Sequence, residues 1–326
     1  MNEKNNQTHD ANDASRGSTG SSLITVVICT HNRVHWLEKT VQSVLDQISD
    51  GTELLVIDNA STDETPSVVC DLTRTHPSIF VWREERLGVA FARNTALAKA
   101  KGEYVLFLDD DEIAEPGWLT AYTRFIAEHN SVRLGCVGGP SIPFFEKTPP
   151  RWIDPARFGL DLGEPARLLA GVNSLGAGNS AYRRLTALRL GGFCTALARH
   201  EDSELNGRLQ AAGYEVWWLP NARMRHHIPA SRLTLAHQSR LAFAEGSASA
   251  VVRLRQIKCP ISRWFYCLGR SVVAPFHVGL KLVLAGITLP WRHGRIAART
   301  WLHVPRTWGV VFGLWTQRRH CGKNVS

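Results

Sequence analysis

The sequence predicts an α/β protein: a doubly wound, mostly parallel sheet with a basic helical extension at its C-terminal end. Three observations carry this. Short apolar runs alternate with segments of helical period through the first half of the chain, three of those runs end in polar or acidic residues, and the charge balance changes near residue 233.

Residues 1–22 are rich in Asn, Ser, Asp and Gly and contain no apolar segment, so they read as a disordered tail and not as a signal peptide. Leu23 to Cys29 is the first apolar strand; Leu37, Val41, Val44, Leu45 and Ile48 then recur at helical spacing. Glu53 to Ile57 is a second strand running into Asp58-Asn59-Ala60-Ser61-Thr62-Asp63, where Ser61 or Thr62 is placed to cap a helix through Val68 and Val69. Ile79 to Trp82 is a third strand, and Gly88 opens a helix carrying Ala92, Ala96, Leu97 and Ala100. The fourth, Tyr104 to Leu108, closes in Asp109-Asp110-Asp111.

Carboxylates this close repel one another, so the triplet is either a solvated acidic turn or a site neutralised by a cation. Ligands of doubly wound sheets bind outside the carboxyl ends of the strands. Here the exits are Thr30-His31-Asn32-Arg33, Asp58-Asn59 and Asp109 to Asp111, which points to a ligand site. No GxGxxG follows the first strand and no GxxxxGK[ST] occurs, so a nicotinamide-type Rossmann site and a P-loop both lose their phosphate cradle. Carboxylates holding Mg²⁺ or Mn²⁺ are the remaining device for binding phosphate, because such ions take most of their ligands from phosphate oxygens and water.

Val26-Val-Ile-Cys-Thr-His-Asn-Arg33, Glu53 to Asp63, Gly88-Val-Ala-Phe-Ala-Arg-Asn94 and Leu106-Phe-Leu-Asp-Asp-Asp-Glu112, in this order, resemble the family 2 glycosyltransferases over roughly residues 23–235. The resemblance implies a glycosyltransferase-A fold and a nucleoside-diphosphate sugar donor. It implies that Thr30, Asn32 and Arg33 line the nucleotide pocket, that Asp58 bonds the nucleobase with Asn59 beside it, and that Arg93 and Asn94 lie beneath the nucleotide. Asp109 and Asp111 match the outer positions of an Asp-x-Asp motif, Asp109 toward the ribose or sugar and a metal, Asp111 on the metal itself, with Asp110 in support. Asn179, in Gly176-Ala-Gly-Asn-Ser-Ala-Tyr-Arg183, matches a segment near the donor sugar, the alternative being a plain Gly-rich turn before a helix at Leu185.

His200-Glu-Asp-Ser-Glu-Leu-Asn-Gly-Arg208 begins a helix whose first turn favours carboxylates. The resemblance implies that Asp202 is the catalytic base, with Glu201 orienting it or touching the acceptor; Arg208 reads as helix surface. A base is needed because a sugar hydroxyl is a poor nucleophile until its proton is removed. Trp217 and Trp218 lie in a strand-like segment. His226 and His227 then point in different directions, so at most one serves; the resemblance implies that a histidine here touches the metal or diphosphate, and His226 is the candidate metal ligand, the alternative being a structural histidine.

The expected function is metal-dependent, inverting transfer of a sugar to a hydroxyl of a glycan, polysaccharide precursor or lipid-linked acceptor. The alternatives are a nucleotidyltransferase, which would show a Gly-rich basic loop after the first strand, and a non-catalytic, membrane-tethered binder of nucleotide sugars. From Leu233 onward fourteen Lys/Arg face one acid, Glu245; that net +13 in a chain of +9 leaves −4 upstream. Trp264, Trp291, Trp301, Trp308 and Trp315 interleave the basic residues, and residues 271–290 are largely apolar but interrupted by Pro275, His277, Gly279 and Lys281. Such a region suits an anionic membrane surface better than nucleic acid. Peripheral attachment, a span and an ordinary helical subdomain stay open. Seven scattered cysteines without CxxC spacing fit reduced thiols, and the expected place is the cytoplasmic, inner face of the cell membrane.

Overall fold

The computed structural model describes residues 23–49, 52–129, 131–170 and 175–257, with short pieces at 259, 261–262, 264–266, 302 and 304–312. The expectations for residues 1–22 and 271–290 lie outside the described residues.

Strands β1 (Ile24–Thr30), β2 (Glu53–Asp58), β3 (Ile79–Arg83) and β4 (Tyr104–Asp109) alternate with helices α1 (Val34–Leu45), α2 (Thr65–Thr75) and α3 (Val89–Lys99). They pair in parallel in the order β3-β2-β1-β4. Each inner strand is apolar on both faces because helices cover both. In β4, Tyr104, Leu106 and Leu108 join one core and Val105 and Phe107 the other. Full burial of each such side chain contributes roughly 1.5–3 kcal/mol, so this strand is a rigid mount for the aspartates at its end.

The other half of the sheet is mixed. β5 (Glu112–Ala114) leaves the sheet at once; α4 (Trp118–Glu128), β6 (Leu134–Gly138) and β7 (Ser141–Phe145) follow, then the two-residue β8 (Arg167–Leu168). β9 (Asn179–Arg183) runs antiparallel between β4 and β6. The small-residue-rich segment 176–183 carries no strand pattern in sequence; β9 follows its glycines, and helix α5 (Arg184–Arg189) begins one residue before the expected Leu185. Helix α6 (Glu201–Ala211) and β10 (Glu215–Trp218) complete an eight-stranded sheet. β11 (Met224–Ile228) joins β5 and β7 in a three-stranded sheet that sets His226 opposite Glu112.

Ser61 and Thr62 do not cap α2. Pro66 sits in the first turn and the helix starts at Thr65, whose N–H donates instead to Asp63 Oδ1 (3.0 Å). Nor is Arg208 a free surface residue: its guanidinium donates to Glu204 and to the carbonyls of Leu190 and Gly192, pinning the turn before α6. Beyond Arg232, α7 (Leu235–Gln256) crosses the helix of residues 304–312 at Gly246 and Gly309, where an added Cβ would collide with the backbone of Arg306 and of Phe243.

Candidate active site

Two cavities open at the carboxyl ends of the parallel strands. The smaller, about 390 Å³, is lined by Cys29, Thr30, Arg33, Asn59, Gly88 and the three aspartates. The larger, about 840 Å³, is lined by Gly176 to Asn179, His200, Glu201, Asp202, His226 and residues of α7. Val89, Asp109 and Arg232 line both, so the cavities meet at the end of β4.

The β1 and β2 exits are held by side chains that bond each other. Asn32, in the left-handed region (φ 52°), accepts at Oδ1 from the N–H of Thr62 (2.8 Å) and of Asp63 (3.3 Å). Asp58 is buried and accepts from Ser61 N–H (3.1 Å) and Arg83 Nη1 (2.5 Å). Asn59 accepts from Gly88 N–H and donates to the carbonyls of Glu84 and Arg86. Thr30 is buried in the pocket wall. Asp58 is therefore committed to Arg83, a partner that no local pattern announces, and Asn59 shapes the Glu84–Gly88 turn.

The aspartates divide by partner. Asp109 Oδ1 accepts from Arg93 Nη2 (2.8 Å), and its N–H donates to Glu112 Oε2 (2.9 Å). Asp110 accepts from His31 N–H (3.3 Å); burial, with Asp111 beside it, pushes its pKa up to about 7. Asp111 is buried and accepts from Arg232 Nη2 (2.9 Å), with Arg33 Nη2 at 3.5 Å and His226 Nε2 at 3.7 Å. Glu112, a fourth carboxylate overlooked in the sequence, is pushed well above the ordinary range by burial and by Asp109 and Asp111.

His226 and His227 separate as their strand alternation demands. His227 stacks on Trp36 with ring centroids 3.8 Å apart. His226 faces Asp111. Its Nδ1 meets Phe158 O (3.1 Å), which assigns the proton there and leaves the Nε2 lone pair to accept from Arg232 Nη1 (3.0 Å). Burial lowers the pKa of this histidine and keeps it neutral. A carboxylate oxygen and an unprotonated imidazole nitrogen on one side of the pocket suit a divalent cation. Arg232 bridges both groups, so a positive charge already sits where they converge. Among the described residues no three His, Cys, Asp or Glu side chains form a ready cage, so an ion here would draw its further ligands from a bound anion and water.

Arg93 is buried and donates to Asp109 and, through Nη1, to Glu201 Oε1. Burial works against its charge, but Asp109 and Glu201 beside it hold the guanidinium protonated. Arg93 thus ties the end of β4 to the start of α6. Asn94 likewise clasps the backbone of Phe193, donating to its carbonyl (2.8 Å) and accepting from its N–H (2.7 Å). Asn179 spends its amide on the scaffold, accepting from Trp118 Nε1 (2.7 Å) and Tyr122 OH (3.0 Å) and donating to the carbonyls of Pro140 and Ala222 (2.8 Å each). The residue of that segment that meets the site is Gly178, where a Cβ would stand 2.6 Å from Asp109 Oδ2 and 2.9 Å from Glu112 Oε2.

His200 adopts a left-handed conformation (φ 63°) at the N-terminus of α6 and turns Glu201 and Asp202 toward the larger cavity. Burial raises the Glu201 pKa against the pull of Arg93. Asp202 accepts from Ala177 N–H (3.2 Å) and Ser203 N–H (2.6 Å), and among the described residues no cation lies within ion-pair distance of it.

Residues 25–185 match Glycosyl transferase family 2. A provisionally named teichuronic acid biosynthesis glycosyltransferase, TuaG of Bacillus subtilis, is 36% identical over 109 residues, 33% of this chain and 43% of that protein. The chain thus spans less than half the length of that relative. The succinoglycan biosynthesis protein ExoM of Rhizobium meliloti is 25% identical over 299 residues, covering 89% of this chain and 92% of that one. The mannosyltransferase PcManGT from Pyrobaculum calidifontis, solved in complex with GDP-Man and Mn²⁺, superposes with a TM-score of 0.61 over 92% of this chain and 89% of that one; at 20% identity the likeness is one of fold. Through residues 25–185 the chain belongs to glycosyltransferase family 2, on a glycosyltransferase-A fold.

Proposed function

We propose that the protein transfers a sugar, with inversion, from a nucleoside-diphosphate donor to a hydroxyl acceptor. The observation that carries this is the junction of the two cavities at Asp109, with Asp111 facing one and the unpaired Asp202 lining the other. The smaller cavity suits the nucleotide: Asp110 and Arg33 face it, and Asn59 holds Gly88 so that backbone can approach the ligand. Asp111 and His226 would hold Mg²⁺ or Mn²⁺, which neutralises charge on the diphosphate as it departs. Asp202 takes the acceptor proton as the hydroxyl attacks the anomeric carbon from the face opposite the leaving group. Glu201, fixed by Arg93, orients the helix that presents Asp202. Arg93 also holds Asp109 toward the sugar.

The relatives' names support a glycan or lipid-linked acceptor; one, of Haloferax volcanii, is a glucosyl-dolichyl phosphate glucuronosyltransferase, 24% identical over 219 residues. In this reading residues 23–232 are the catalytic domain and 233–326 an extension lying on the anionic inner face of the cell membrane. Exposed Trp264, Phe265, Trp308 and Phe312 in a basic region support that placement. Among the described residues no helix is long and apolar enough to cross a membrane.

The test is thermal stabilisation by a panel of UDP-, GDP- and dTDP-sugars with Mn²⁺, followed by transfer assays on the stabilising donor. Stabilisation by one donor and loss of transfer in EDTA are expected. Stabilisation by none of them, or unchanged transfer in chelator, would overturn the donor or the metal assignment respectively.

A further inference from the structure

We propose that the larger cavity receives an acceptor bearing phosphate, held by Arg157, Arg199 and Arg240; the inference rests on the transferase reading above. These arginines come from three separate elements. Arg157 lies on the short 3₁₀ helix Pro155–Phe158, Arg199 just before the turn that presents Asp202, and Arg240 on α7, and all three line one cavity.

The other charges of that cavity are committed. Arg93 bonds Asp109 and Glu201, Arg232 bonds Asp111, and Glu112 holds the Asp109 N–H. Asp202 and Glu245 are the carboxylates left, and among the described residues neither pairs with Arg157, Arg199 or Arg240 within 4 Å. His237, on the same wall, is held below its ordinary pKa by burial and by Arg232, Arg240 and Arg199, with no carboxylate offsetting them.

Gathering like charges at one mouth is unfavourable unless an anion occupies it. Guanidinium forks fit phosphate oxygens two at a time. A lone carboxylate would neutralise one of three charges, whereas a diphosphate neutralises two or three.

The test is calorimetry on the full chain in EDTA, which keeps metal from carrying diphosphate to the donor end. The probes are inorganic pyrophosphate, a hexose 1-phosphate, a prenyl diphosphate and the matching prenyl alcohol. Pyrophosphate should bind, and a variant combining Arg157→Gln, Arg199→Gln and Arg240→Gln should bind it at least tenfold more weakly. The same variant should keep its affinity for UDP or GDP with Mn²⁺ within about twofold. These arginines are exposed, so each single variant can also be made, with a partial loss expected. Prenyl diphosphate binding tighter than hexose 1-phosphate would assign a lipid-linked source, and equal binding a water-soluble one. No pyrophosphate binding, or binding that the triple variant leaves intact, would overturn the proposal. Failure of wild type to bind any nucleotide with Mn²⁺ would instead overturn the transferase reading.

Discussion

Arg93 and Glu201, 108 residues apart in sequence, meet as a buried guanidinium–carboxylate pair, and the second arm of the guanidinium reaches Asp109. The pair couples the end of β4 to the start of α6. Arg93→Met leaves Glu201 buried without its cation and the part-exposed Asp109 without its partner. The expected cost is about 3–5 kcal/mol of unfolding free energy, the range for breaking a buried ion pair by removing one partner. Urea unfolding measures it; a loss below about 1 kcal/mol would show that the pair is not a structural tie.

Asp202→Asn keeps the shape of the side chain and removes its basicity. Transfer should fall by about 10²–10⁴-fold, the range for loss of a general base. Nucleotide affinity, measured by calorimetry with Mn²⁺, should stay within about twofold. If both disappear together, Asp202 is holding the fold of the site and not moving a proton.

Asn179→Ala strands Trp118 Nε1 and the Ala222 carbonyl without their partner and leaves the Pro140 carbonyl with the Met224 N–H alone. Each buried group left unsatisfied costs about 1–3 kcal/mol. A clear drop in thermal midpoint is expected, with the KM for donor unchanged in the molecules that remain folded. A raised KM at unaltered stability would return Asn179 to the donor-contacting role that its motif implies.

Glu84 is held at a pKa of about 2, chiefly by its hydrogen bonds from Arg86 and against the opposing effect of burial. A carboxylate with a depressed folded pKa contributes stability above its unfolded pKa, near 4.5 here, and loses it as pH falls toward about 2. Glu84→Gln should lower stability at pH 7 and flatten its dependence on pH between about 4.5 and 2. Acid unfolding followed by circular dichroism reads both effects.

The strand exits were legible because each follows a short run of buried apolar residues, and position at the end of such a run is a local property. The first helical turn carrying Glu201 and Asp202 was legible because carboxylates are favoured at a helix start, which is again a local property. What escaped were roles fixed by distant partners. Asn94 and Phe193, Asn179 and Ala222, Asp58 and Arg83 and Asp111 and Arg232 are separated by 25 residues or more, and no periodicity links them. β9 escaped because Asn179-Ser-Ala-Tyr-Arg183 has one large apolar side chain, and its burial comes from lying between β4 and β6. Glu112 escaped because a place beside three aspartates in sequence does not tell that its side chain is buried.

The bridge from Arg232 to Asp111 and His226 makes these two groups self-neutralised. A cation arriving alone must displace a guanidinium tethered beside it and leave that guanidinium without an anion. A cation arriving with a diphosphate offers the displaced guanidinium a new partner. In the proposed reading, ion and nucleotide would be linked ligands: each would raise the other's affinity, and by the same factor whichever came first, since coupling between sites is reciprocal. Replacing Arg232 with Gln should tighten the ion alone and weaken that mutual dependence. The site would thus answer to donor supply, and little to fluctuations in free metal.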